Sequence, residues 1–142
     1  MSFTWRPDLA TGNTIIDNQH KGLFTAASDL FSACQIGKEQ GEVEKTMAFL
    51  AQYVVTHFTD EEALQVEYNY PDYPQHKLAH ATFTEQVKKL YVKLSQEGPT
   101  DDFISEVYIS IGEWLLNHIR VDDFKMANYI QSKECSGKTQ LG

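Results

Sequence analysis

Apolar side chains recur along this chain at intervals of three and four, in four separate blocks. Ile16, Leu23, Phe24, Ala27, Leu30, Phe31 and Cys34 form one face of a first helix, which Gly37 is placed to stop. The second block is the most regular. Val43, Met47, Leu50, Val54, His57, Glu61 and Leu64 alternate steps of four and three, a heptad-like stripe ending near Asn69. A third stripe runs through His76, His80, Phe83, Val87, Leu90 and Leu94, with Pro74 near its first turn and Gly98-Pro99 at its end. Thr100 then caps a fourth segment, with Asp101 and Asp102 in the first turn. Its apolar face is Ile104, Val107, Ile111, Trp114, Leu115 and His118.

Strand signals are missing apart from the Tyr-rich turn YNYPDYP. Four helices of about 20 to 30 residues with short connections predict an all-α fold, an up-down-up-down antiparallel four-helix bundle. Residues 1–13 read as an extended N-terminal arm offering Phe3 and Trp5 for packing. Residues 132–142, SKECSGKTQLG, carry no apolar pattern and are expected to fray as a disordered tail. No repeat or linker divides the 142 residues, a length suited to a single domain with one core.

Composition narrows the function. A formal charge of −8 argues against nucleic-acid binding, which needs clustered Lys and Arg. No apolar run approaches the roughly 20 residues of a membrane span. The opening MSFTWRPDLATGN lacks the basic region and apolar block of a signal peptide, so a cytoplasmic location is expected. Cys34 and Cys135 are too few and too far apart for a disulfide framework; Cys34 reads as core and Cys135 as an exposed thiol.

The histidines change the picture most. All five fall on or beside an inward face: His57, His76, His80 and His118 in core-stripe positions, and His20 just ahead of Leu23 and Phe24. One histidine on an apolar face is ordinarily a satisfied core residue. Five imidazoles and Glu61 without metal would bury many polar atoms, each costing roughly 1–3 kcal/mol if unpaired. Antiparallel helices also bring all six to one end of the bundle. Imidazole suits Zn, Cu, Fe and Ni, and bridging carboxylates with open positions suit iron. The ligand supply exceeds one four-coordinate zinc and calls for two metals.

The segments IDNQH (His20), HFTDEE (His57, Glu61), YPDYPQHKLAH (His76, His80) and WLLNHIRVDD (His118, Asp123) resemble the hemerythrin family, specifically its single-domain bacterial members. The resemblance spans residues 3 to about 131. It implies two iron ions. His76, His80 and His118 would bind one, and His20 and His57 the other. Glu61 and Asp123 would bridge them beside an oxo or hydroxo group. These ligands fill all but one of the twelve positions of two six-coordinate irons. The open one falls on the two-histidine iron.

The implied function is reversible, non-enzymatic O2 binding for storage, delivery or scavenging, with O2 held end-on as hydroperoxide. NO is a second possible ligand, and the protein is read as a monomer. An O2 or redox sensor, or a di-iron peroxidase or iron donor, are the alternatives. Leu23, Phe24, Phe58, Trp114, Leu115 and Ile119 flank the ligands and are expected to line an apolar O2 pocket.

Asp123 lies five residues after His118, roughly 140° round an ideal helix, whereas Asp122 lies four after it. The family pattern selects Asp123, so a local π-type widening is expected there, with Asp122 left to solvent. Asp17 reads as a first-turn dipole residue. Gln65 stands where family members often carry Met, and it faces either a neighbouring helix or solvent.

Overall fold

The computed structural model describes residues 4–141, with side chains for 4–135, so Phe3 lies outside the described residues. Helix α1, Thr14–Gln35, starts where the Asn13 side chain accepts from the Ile16 N–H at 3.1 Å, filling one donor that every helix start leaves open. It ends where Gly37 takes φ 73° and the Lys38 N–H returns to the Ala33 carbonyl, a left-handed reversal that favours glycine. Helix α2, Gln40–Glu67, is closed in the same way by Asn69 at φ 54°. Helix α3, Tyr73–Glu97, carries Pro74 in its first turn. Thr100 caps the next helix, its hydroxyl accepting from the Phe103 N–H at 3.1 Å.

That last helix, α4, is not uniform. α-Helical Asp101–Val107 gives way to π-helical Tyr108–Glu113, then α-helical Trp114–His118, π-helical Ile119–Asp123 and α-helical Phe124–Leu141. Along it Phe103, Val107, Ile111, Leu115, Ile119, Asp123 and Ala127, each four apart, are all buried. In a straight α-helix each step of four drifts about 40° off the face, enough over this row to carry it into solvent. The wider π turns take up that drift. For the same reason Phe103, fully buried, takes the inward place expected of Ile104, which is only half-buried. In α2 Gln65 likewise replaces Leu64 on the inward face.

The backbone of α4 stays helical to Leu141, past Ser132, where the apolar pattern stops and the sequence led us to expect fraying. Residues 131–135 are exposed, so this turn is held by propagation of an established helix rather than by packing. The remaining side chains of that tail lie outside the described residues.

α1 packs on α2, α2 on α3, α3 on α4 and α4 back on α1, the neighbour order of an up-down-up-down four-helix bundle. The N-terminal arm lies against it: Leu9 is buried in the main core, Trp5 packs at its edge, and Lys21 Nζ sits 4.6 Å from the Trp5 ring. Asp17 ties the arm down by accepting from the Thr11 N–H and hydroxyl, both at 2.8 Å.

The core is split in two. A large apolar cluster includes Leu23, Val54, Phe58, Phe83 and Leu115. A small one holds Ile16, Tyr70, Met126 and Ile130. On every helix a histidine stands between them. No helix among the described residues is long and apolar enough to cross a membrane.

Candidate metal centre

Each helix sends ligand-type side chains into the layer between the two clusters. α1 supplies His20; α2 His57 and Glu61; α3 His76 and His80; α4 His118 and Asp123, all at most 4% exposed. The one-turn spacings of His57 with Glu61 and of His76 with His80 put each pair on one helix face. His118 and Asp123 share a face because the Ile119–Asp123 segment is π-helical, as the five-residue spacing required.

These residues fall into two overlapping groups, Glu61, His76, His80, His118 and Asp123 in one, and His20, His57, Glu61 and Asp123 in the other. Within each, the candidate ligand atoms lie within 4.8 Å of one another. The carboxylates divide their oxygens between the groups. Glu61 turns Oε1 to His76 Nε2 at 2.7 Å and His80 Nε2 at 3.2 Å, and Oε2 to His57 Nε2 at 3.2 Å. Asp123 turns Oδ1 to His76 and His118 at 3.1 and 3.3 Å, and Oδ2 to His20 Nε2 at 2.9 Å.

The outer ring nitrogens decide which atoms point inward. His57 Nδ1 lies 2.6 Å from Gln19 Oε1, His80 Nδ1 2.9 Å from Glu62 Oε2, and His118 Nδ1 2.7 Å from Asp122 Oδ2. All three outer groups are acceptors, so the ring proton sits on Nδ1 and Nε2 presents its lone pair to the layer. His80 and His118 then face each other through Nε2 at 3.1 Å, beside the oxygens of Glu61 and Asp123. Glu61 Oε2 and both Asp123 oxygens make no hydrogen bond, and although His20 Nε2 is close to Asp123, the two are not aligned as one. Lone pairs crowded on lone pairs in a dry layer are satisfied by cations placed between them. The donor set therefore fits two metal ions sharing two carboxylates.

The electrostatics agree. Burial disfavours charge on His20 and His76, yet contact with Asp123 and Glu61 outweighs it and raises their pKa values to about 9 and about 10. Burial alone would push the Glu61 carboxyl up; the surrounding histidines instead hold it well below the usual carboxylate range. The carboxylates draw positive charge into the layer, as protons or as metal.

Aromatic rings brace one side of this layer. Phe58 stacks on His80 with centroids 3.7 Å apart, and Trp114 stacks on His118 at 4.4 Å and on Phe83 at 4.1 Å. Two of the side chains expected to line an O2 pocket thus lie against the three-histidine group. Leu23, Phe24, Leu115 and Ile119 are buried in the large apolar cluster. On the other side, His76 borders a surface cleft of about 130 Å³ with Tyr70, Asp122 and Lys125.

The sequence reading missed the outer partners. Gln19 and Glu62 adjoin His20 and Glu61 in the chain, but polar residues beside a helix's inward stripe are too common to single out. Asp122, expected in solvent, is half-buried and holds His118. Gln65 is fully buried, its Nε2 donating to Met126 Sδ at 2.8 Å.

Comparison with known proteins bears on the same residues. Residues 11–130 match the family model described as the hemerythrin HHE cation binding domain. The chain is 35% identical over 128 residues to a bacteriohemerythrin of Pseudomonas aeruginosa, covering 90% of this chain and 79% of that one. It is 30% identical over 128 residues to a bacteriohemerythrin of Stenotrophomonas maltophilia, covering 90% and 81%. It is 32% identical over 111 residues to a myohemerythrin of Theromyzon tessulatum, covering 78% of each. With that match spanning the helices that build the layer, the chain belongs to the hemerythrin family, whose members hold a di-iron centre.

Proposed function

We propose that this chain binds O2 reversibly at a non-haem di-iron site and serves in oxygen storage, delivery or scavenging. His76, His80 and His118 would hold one iron, His20 and His57 the other, and Glu61 and Asp123 would bridge them. The observation that carries this reading is the division of each carboxylate between the two histidine groups, one oxygen to each. An iron pair held by these residues would supply the two electrons and the open position that O2 needs, with end-on binding being what the resemblance implies.

The chain supplies the rest. Gln19, Glu62 and Asp122 keep three imidazoles turned with Nε2 inward. Leu23, Phe24, Leu115 and Ile119, with Phe58 and Trp114, pack as an apolar wall beside the layer and keep water from it. Among the described residues, the buried polar side chains are the seven candidate ligands, Gln65, Tyr70 and Cys34, and burial pushes the Tyr70 hydroxyl up to about 12 and the Cys34 thiol upward too, away from their reactive anions. None is a Ser or Lys nucleophile or a base left over for proton transfer, which supports binding rather than turnover.

The test is a visible absorption spectrum of the anaerobically reduced protein before and after O2, with iron quantified in the same sample. Two irons per chain, and a colour that comes with O2 and goes when O2 is flushed out, are expected. Irreversible conversion to a ferric spectrum would replace the carrier reading with a redox enzyme or sensor; zinc or no metal would end it.

A further inference from the structure

The outer partners of the histidines are not alike. His80 and His118, both in the three-histidine group, bond to the carboxylates of Glu62 and Asp122. His57, in the two-histidine group, bonds to a neutral amide, Gln19 Oε1, at 2.6 Å. His20 Nδ1 in that group has no hydrogen-bond partner. One metal position is thus backed by two anions and the other by none in direct contact. Nor is the amide free to turn. Gln19 Nε2 donates to Asp60 Oδ2 at 2.9 Å, so Oε1 must face His57. The Tyr53 hydroxyl fixes the backbone of Gln19 by donating to its carbonyl at 3.1 Å, passing over Gly22, where an added Cβ would strike the Tyr53 ring.

We propose that Gln19, oriented by Asp60, is a positioning residue that makes the two metal positions electronically unequal. A carboxylate on Nδ1–H makes an imidazole a stronger donor and stabilises the more highly charged metal ion; an amide does so less. The three-histidine iron is then the easier of the two to oxidise, and the iron with the open position keeps the higher potential. Asp60 acts one step further out. It holds the amide so that His57 carries its proton on Nδ1 and offers Nε2 to the metal. This inference rests on the di-iron reading above.

The experiment is a charge relocation, Gln19→Glu with Asp60→Asn. It keeps the hydrogen bonds and the net charge and moves one negative charge from Asp60 to the atom touching His57. Iron content and reversible O2 colour are measured first on the unaltered protein, then midpoint potentials of both forms by anaerobic titration followed optically. The relocated form should hold two irons and favour the ferric state of one of them about tenfold more, the lower end of what an outer partner is worth, or about 59 mV in its one-electron potential.

Asp60→Ala, at an exposed position, covers the case in which the double variant does not fold. Freed, the amide can turn its N–H₂ to His57, and affinity for one iron should fall about tenfold while the other stays bound, with Asp60→Asn restoring it. Unchanged potentials and iron affinities in variants of a protein that does bind iron and O2 would overturn the role of Gln19 alone. An unaltered protein without iron would overturn the di-iron reading and this inference with it.

Discussion

Nε2 of His118 lies 3.3 Å from Oδ1 of Asp123, although the two residues are five apart in the chain. A straight α-helix would turn them roughly 140° from each other; the π segment Ile119–Asp123 brings them onto one face. Asp122, the better-placed residue on α-helical arithmetic, reaches the opposite ring nitrogen of the same histidine at 2.7 Å. Two adjacent carboxylates therefore grip one imidazole from both ends and have different tasks.

The first prediction separates those tasks. Asp123→Asn keeps the volume but removes the charge and turns one of the two oxygens into an N–H₂, so the side chain no longer presents an acceptor both to His20 and to His76 and His118. Iron should fall from two per chain to one or fewer, even with excess iron. Asp122→Asn removes only the anion behind His118. At saturating iron it should still hold two, with affinity lowered about 10- to 100-fold. Iron-to-chain ratios across a titration check both, and the reverse ranking would show that Asp122 is the bridging residue.

Metal-free protein should have a marked pH dependence. His20 and His76 have folded-state pKa values of about 9 and about 10, above the ordinary 6.5 of an unfolded chain. Their stabilising contribution is fully present below about 6.5 and is lost as pH rises through 9 to 10. Glu61, held low, works in the opposite sense: its contribution is present above about 4.5 and is lost only in stronger acid. Urea midpoints of metal-free protein should therefore be highest between about pH 4.5 and 6.5 and fall steadily toward pH 10. Metal uptake must expel the protons on His20 and His76, so it should release protons and tighten with rising pH over the neutral range. A midpoint that rises from pH 7 to 10 would contradict this charge arrangement.

The register of α4 gives a third test and marks where the sequence stops being readable. Phe103 is fully exposed to the core and closed to solvent, while Ile104 is half-buried at its edge. Phe103→Ala should cost about 3–5 kcal/mol, and Ile104→Ala about 1–2 kcal/mol less than that, measured by chemical denaturation. Similar costs, or a costlier Ile104, would mean that α4 keeps an ordinary α-helical period.

A stripe built from steps of three and four shows the helices and the polar breaks at His57, His76, His80 and His118, and Thr100 shows one cap; in the sequence Asn13 reads only as the end of the arm. A row spaced by four in a helix of mixed pitch does not announce itself, because each step alone is compatible with an ordinary helix. Only the five-residue offset of Asp123 exposed one π segment beforehand; Tyr108–Glu113 had no such marker. The outer partners were hidden for another reason. Gln19, Glu62 and Asp122 are half-buried beside the inward faces of their helices, where polar residues are common. Their roles depend on how a histidine, on a neighbouring helix for Gln19 and Glu62 and on the same helix for Asp122, presents its outer ring nitrogen.

Gln65 carries the last prediction. Its side chain is fully buried next to the small apolar cluster; Nε2 reaches Met126 Sδ at 2.8 Å, and Oε1 has no hydrogen-bond partner. A thioether is a weak acceptor, so the amide gains little, and the buried oxygen costs about 1–3 kcal/mol. Met is of similar length and has neither a buried amide nitrogen nor a carbonyl oxygen to satisfy. Gln65→Met should therefore stabilise the metal-free protein by about 1–3 kcal/mol, raising its thermal midpoint by several degrees. Gln65→Ala should gain less or lose, because relief of the orphaned oxygen is set against a new cavity. Thermal unfolding of the metal-free forms, followed by circular dichroism, separates the two contributions. A lower midpoint for Gln65→Met would mean that Oε1 is hydrogen-bonded in solution, by a buried water held between α2 and α4.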